Sequence, residues 1–183
     1  MSSTTPSDPS KRDFIVLTGQ AMMGISGALF AWPLVHSMNP SADVLALSTT
    51  EVNLEPITQG QAITVTWRGK PIFIRHRTAA EVESARADDG ADLRDKQTDA
   101  ARVKSFEDKE QSQWLVVQGV CTHLGCVPLG QKPTDMKGEF KGWFCPCHGS
   151  HYDTSGRIRK GPAPKNLAVP PYQFVSATRI KIG

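Results

Sequence analysis

The sequence predicts one N-terminal transmembrane α-helix joined through a tether to an all-β domain, and three observations carry that expectation. An uninterrupted uncharged stretch lies near the N-terminus, short strand-like apolar runs fill the later part of the chain, and a small, polar linker separates the two. The 183 residues, 39% of them hydrophobic, suit one domain with an appendage and exclude a disordered chain. Four cysteines are too few for a disulfide scaffold, and a net charge of +3 gives no reason to expect a nucleic-acid partner.

The uncharged stretch, Phe14 to Val35, reads FIVLTGQAMMGISGALFAWPLV. As a helix it spans roughly 33 Å at about 1.5 Å per residue, enough for a hydrocarbon core of about 30 Å. It exceeds the apolar core of a cleaved secretory signal, and it runs into Trp32-Pro33-Leu34 instead of a small-x-small cleavage site. Residues 14–36 are therefore expected to be a retained anchor. Gly24, Gly27, Ala28 and Ala31 fall on one helical face where a neighbouring helix could approach. Lys11 and Arg12 precede the span and the next base is Arg68, so the positive-inside rule puts residues 1–13 in the cytoplasm and everything after the span outside it. Ser10 to Ile15 resembles a twin-arginine export signal with Lys11 in place of the first arginine. Residues 1–12 are short, contain Asp8 and are not Arg-rich, which argues against a mitochondrial transit peptide.

Residues 37–56 read as a flexible tether, with a helical turn at Ala42 to Leu47. Residues 57–183 form the outer domain. Ala62 to Trp67 alternates apolar and polar, Arg68-Gly69-Lys70 is a turn signal, and Pro71 to Arg75 is a second strand that Pro71 would place near an edge. Trp114 to Val120 has the continuous apolar character of a buried strand, and Phe174 to Ile182 supplies further short strands. Between them, residues 78–113 carry ten acids against six bases and few large apolar groups. They are expected to be a solvated surface insertion, helical around Glu81 to Ala87. Residues 154–183 carry six bases and no acid, a solvated face or a patch for an acidic partner.

The chemistry concentrates in two segments within residues 120–165. Cys121-Thr122-His123-Leu124-Gly125-Cys126 and Cys145-Pro146-Cys147-His148-Gly149-Ser150 hold all four cysteines and two of the five histidines. Each offers one thiolate and one imidazole in a tight Gly- or Pro-bracketed loop, and two such loops meeting at their tips could hold a metal. Zinc fingers pair two cysteines in one arm and two histidines in the other. The mixed arms found here suit a binuclear centre in which one iron takes the cysteines and the other the histidines, a Rieske [2Fe–2S] cluster.

CTHLGC and CPCHGSHYD resemble the two cluster-binding loops of the Rieske proteins of quinol:cytochrome c oxidoreductases, bacterial type, and the likeness extends over anchor, tether and outer domain. The resemblance implies an all-β Rieske domain, an antiparallel β sandwich with a small cluster-binding subdomain. It implies one [2Fe–2S] cluster held by Cys121 and Cys145 on one iron and His123 and His148 on the other. Cys126 and Cys147, left over, would pair as a disulfide across the two loops, which Rieske ferredoxins and ring-hydroxylating oxygenases lack. Ser150 and Tyr152 match positions whose hydroxyls donate to a bridging sulfide and a cysteine sulfur, raising the potential. His148 would face ubiquinol with His123 as its exposed neighbour, both with redox-linked protons. Leu124, Gly125 and Pro162, the last in the Gly161-Pro162-Ala163-Pro164 loop over the cluster, would form the docking surface. The implied partners are a cytochrome b subunit and a membrane-attached c-type cytochrome, in a dimeric bc complex of a bacterial inner membrane with the Rieske domain in the periplasm. Two other assignments stay open at this point: the small Rieske subunit of an arsenite-oxidase-like enzyme, and a structural zinc domain.

Overall fold

A computed structural model describes residues 10–46 and 48–183 of the chain. Residues 1–9 of the expected cytoplasmic segment, and Leu47 of the tether, lie outside the described residues. Two units separate, Met1–Val44 and Leu45–Gly183.

In the first unit, α1 spans Lys11–His36. Ser10 caps it through a reciprocal pair: its hydroxyl accepts from the Asp13 N–H at 3.2 Å, and its own N–H donates to the Asp13 carboxylate at 3.0 Å. The helix runs through Pro33, whose missing N–H falls one turn from the end. It is long and apolar enough to cross a membrane, and none of its residues is buried. A short helix, α2, follows at Ala42–Ala46.

In the second unit every sheet is antiparallel. The central sheet is β2 (Ala62–Trp67), β3 (Lys70–His76) and β6 (Trp114–Gln118), in that order. β2 and β3 are joined at Arg68 and Gly69, both with positive φ, the two-residue hairpin geometry whose twist matches the strands. β3 is the middle strand, not an edge. Pro71 is tolerated because the β6 ladder begins at Ile72, so no pairing on that side needs its N–H.

β3 lies between two strands and β6 at the end of the sheet, and both bury both faces. Ile72, Ile74 and Val116 point into one cluster with Trp67, Ile180 and Ile182; Phe73, Leu115 and Val117 point into another with Trp143, Tyr152 and Leu167. That explains the continuous apolar run at Trp114. The first cluster is covered by a sheet in which β1 (Thr50–Asn53) pairs with β11 (Arg179–Ile182), and β11 with β10 (Tyr172–Ser176). The second is covered by the small sheet of β7 (Lys141–Cys145), β8 (Ser150–Asp153) and β9 (Ile158–Lys160). β4 (Ser105–Phe106) and β5 (Lys109–Glu110) form a separate hairpin.

The segment 78–113 is solvated only in part. Its helix α3, Ala79–Ala87, is capped by Thr78 and Glu81, and most of its charged residues are exposed, but Asp99 and Arg102 turn inward. Asp99 is fully buried and takes a bidentate pair from buried Arg77, at 2.6 and 3.0 Å, plus the Ser155 hydroxyl at 2.6 Å. Arg157, also buried, donates to Asp153 at 2.8 Å and the Ala85 carbonyl at 2.6 Å, and reaches Asp89. Arg102 donates to the Ser155 and Leu167 carbonyls at 2.7 and 2.6 Å, and burial lowers its pKa to about 10. Charge was misleading because most of these partners, Asp153 beside Arg157 excepted, lie far away in sequence. Residues 154–183 are a solvated basic face only in part: Arg157 is interior and Arg159 pairs with Asp88, while Lys160, Lys165 and Arg179 stay exposed.

Candidate metal centre

Three loops converge at the open end of the small sheet. The first, Cys121 to Val127, leaves β6; the second, Cys145 to Gly149, turns β7 into β8; the third, residues 161–167, follows β9. Gly125 and Gly149 occupy positive φ, +84° and +73°, where a side chain would be strained. The turns close on their own cysteines: Gly125 N–H donates to the Cys121 carbonyl at 2.9 Å, and Gly149 N–H to that of Cys145 at 3.0 Å. A disulfide, Cys126–Cys147, ties the first two loops together.

The remaining cysteines, Cys121 and Cys145, are free and buried. The His123 and His148 rings lie edge to face with centroids 4.6 Å apart. His123 Nδ1 is buried and has no hydrogen-bond partner. A buried imidazole nitrogen with no partner is costly unless something binds it, and two free thiols and two imidazoles carried on the same two loops are a donor set suited to iron. The residues present thus fit a mixed Cys–His metal group. The Sγ atoms of Cys126, Cys145 and Cys147 also lie within 4.8 Å of one another, but two of these are spent in the disulfide and only Cys145 can ligate.

The thiols differ electrostatically. Burial pushes Cys121 up, but the Tyr152 hydroxyl, the His123 N–H, Cys145 and Ser150 together outweigh it, so its pKa is lowered. Cys145 is raised, first by burial and then by Cys121 beside it. Tyr152 and Ser150 share a face of β8, two residues apart. The Tyr152 hydroxyl lies 3.2 Å from Cys121 Sγ, and burial raises its own pKa, keeping it a protonated donor. Ser150 Oγ accepts the Ala163 N–H of the third loop at 3.2 Å.

Outward, His148, Leu124, Gly125 and Pro162 are exposed, Leu124 by 70%. A groove of about 700 Å3 along α3, between Gln59, Val82, Arg86 and Gln113, contains none of the cysteines or histidines and takes no part in this centre. His76 stacks on Trp114 at 4.0 Å and His151 accepts the Glu139 N–H at 3.1 Å, so both are spoken for structurally. Two contacts to the third loop, from Arg94 and Thr122, were not anticipated; no local sequence signal marks them, because they join residues 43 to 69 positions apart.

The Rieske [2Fe–2S] domain family model matches residues 57–172, and a model of the ubiquinol-cytochrome c reductase Fe–S subunit TAT signal matches residues 1–41. The chain is 60% identical to the ubiquinol-cytochrome c reductase iron-sulfur subunit of Rhodospirillum rubrum, over 99% of this chain and 96% of that one. It is 56% identical to the subunit of the same name from Rickettsia prowazekii, over 95% and 93%. A solved hyperthermophilic respiratory Complex III contains a chain that matches 91% of this one and is itself covered to 97%, with 28% identity and a TM-score of 0.50.

Proposed function

The chain belongs to the Rieske iron–sulfur subunits of ubiquinol-cytochrome c reductase, and from that membership we propose how its residues carry out the electron transfer of the complex. It is a redox subunit of a cytochrome bc complex, with cytochrome b and c1 as its partners. The zinc and arsenite-oxidase assignments are thereby set aside. One observation carries the residue assignment: the two loops that hold the two free buried thiols also hold two edge-to-face imidazoles, one of which has a buried, unpartnered nitrogen.

Cys121 and Cys145 would hold one iron; His123, through Nδ1, and His148 would hold the other. When bound, the [2Fe–2S] cluster supplies a one-electron acceptor whose reduction is favoured by histidine ligation and by hydrogen bonds to sulfur. Tyr152 donates its hydroxyl proton to Cys121 Sγ, and Ser150 donates from the same face of the strand, two residues away. The exposed His148 ring accepts the hydrogen bond of the ubiquinol hydroxyl and holds the proton released, with His123 beside it. Leu124, Gly125 and Pro162 give that contact an apolar rim that excludes water. The Cys126–Cys147 disulfide keeps the two ligand loops in register, which is also why an oxidising, periplasmic location suits the domain. The apolar α1 anchors the chain in a bacterial inner membrane with its N-terminus inside. The tether gives the domain reach between the quinol site and the membrane-attached c-type cytochrome of a dimeric complex.

An EPR-monitored redox titration of the purified complex at several pH values tests this. A mixed-ligand [2Fe–2S] signal whose high potential falls as pH rises is the expected result; a low potential independent of pH near neutrality would overturn the assignment of His123 and His148.

A further inference from the structure

The third loop is clamped at both ends by groups that the mechanism leaves unused. At one end Arg94 Nη1 donates to the carbonyls of both Gly161 and Ala163, each at 2.6 Å, bracketing Pro162. At the other, Thr122 Oγ1 donates to the Lys165 carbonyl at 2.6 Å. A single guanidinium nitrogen on two carbonyls two residues apart fixes the orientation of the peptide plane between them, and that plane turns the Ala163 N–H inward onto Ser150 Oγ. Ala163 and Ser150 are both buried. A hydroxyl has one proton and two acceptor positions, so an N–H delivered to Ser150 Oγ leaves its proton free to point the other way. Among the described residues the Ser150 hydroxyl donates to no nitrogen or oxygen.

We propose that Arg94 is a positioning residue for the metal centre: by holding the Gly161 and Ala163 carbonyls it keeps the Ala163 N–H on Ser150 Oγ and so aims the Ser150 proton at the cluster. This rests on the assignment of Ser150 as a cluster donor. It gives the charged segment 78–113 a role in setting the potential, through a residue that touches neither cluster nor quinol. Arg94 is exposed apart from these contacts, so its replacement leaves the core intact.

The test is the reduction potential of the purified complex carrying Arg94→Met, Arg94→Lys, Ser150→Ala, and the Arg94→Met/Ser150→Ala pair. Ser150→Ala lowers the potential. Arg94→Met lowers it by a smaller amount, about threefold in the reduction equilibrium, or roughly 28 mV at about 59 mV per decade for one electron. Arg94→Lys, whose ammonium can still donate to both carbonyls, restores most of the loss. The pair falls no further than Ser150→Ala alone. If Ser150→Ala lowers the potential and Arg94→Met does not, the role of Arg94 is overturned while that of Ser150 stands. If the Arg94→Met shift persists undiminished in the Ser150→Ala background, Arg94 acts by its charge alone and the positioning role is equally overturned. If Ser150→Ala itself has no effect, the donor assignment beneath the proposal fails.

Discussion

The Tyr152 hydroxyl lies 3.2 Å from Cys121 Sγ, held there by a strand rather than by a loop. Tyr152 is fully buried on β8, between β7 and β9, so its ring has no freedom to follow a moving sulfur. A donor fixed in this way stabilises whichever redox state puts more negative charge on the sulfur, which is the reduced one.

Tyr152→Phe therefore lowers the potential while leaving the packing nearly unchanged. A hydrogen bond to a charged group contributes about 1.5–3 kcal/mol, and if the part gained on reduction is about 1 kcal/mol the shift is roughly 40 mV. Potentiometric titration of the variant measures it, with the EPR amplitude reporting that the cluster is retained. A retained cluster with an unmoved potential would show that the hydroxyl is not donating to a cluster sulfur.

The Cys126–Cys147 disulfide closes a loop across 21 positions that contains none of the other strands' pairing partners except β7. Replacing both cysteines with serine frees the first two loops from one another, at a cost of about 3 kcal/mol by the chain-entropy argument. The expected outcome is a lower thermal midpoint and a reduced iron content per polypeptide, read by calorimetry and by iron assay. Full cluster content at an unchanged midpoint would mean that Trp143 packing and the Leu129–Phe144 bridge hold the loops by themselves.

The anchor and the cysteine–histidine loops were legible because their signals are local. An uncharged run of helical length and a C-x-H beside a C-x-x-H each lie within one window of sequence. β6 was legible for the same reason, its apolar run declaring burial on both faces. What could not be read was pairing at a distance. Pro71 marked its strand for an edge, yet β3 is central because its ladder starts one residue later. Asp99 and Arg157 counted as surface charge, since a carboxylate and a guanidinium that neutralise one another across 22 or 68 positions leave no pattern in either neighbourhood, and Arg102 is satisfied by carbonyls 53 and 65 positions away.

Gly142, within β7, shows how closely β8 is seated. A Cβ there would stand 1.9 Å from the Asp153 carbonyl oxygen, a backbone atom that cannot yield without breaking the strand pair. Gly142→Ala is expected to displace β8 and with it Ser150 and Tyr152, destabilising the domain by several kcal/mol, of the order of an overpacked core. Reduced accumulation of the subunit in membranes, with loss of the EPR signal in what remains, is the measurement. A variant that keeps a wild-type signal would contradict the close seating of the two strands.

The buried pair of Arg77 and Asp99 makes stability depend on pH in a defined direction. Burial alone would raise the Asp99 pKa, but the Arg77 hydrogen bonds and charge, the Ser155 hydroxyl and Arg157 outweigh it, so the folded value lies below the ordinary 3.8. A carboxylate whose folded pKa is depressed stabilises the fold above its unfolded pKa, and that contribution is lost as pH falls through the folded value. Asp99→Asn leaves Arg77 as a buried charge without its counter-ion, which costs about 3–5 kcal/mol. The urea midpoint of the detergent-solubilised chain, followed by near-UV circular dichroism, should therefore separate wild type from Asp99→Asn most widely above about pH 5. The gap should narrow as pH drops below about 4, because wild type then loses the same interaction by protonation. A gap that stays constant from neutrality to pH 3 would mean that Asp99 contributes through its shape and hydrogen bonds, and not through its charge.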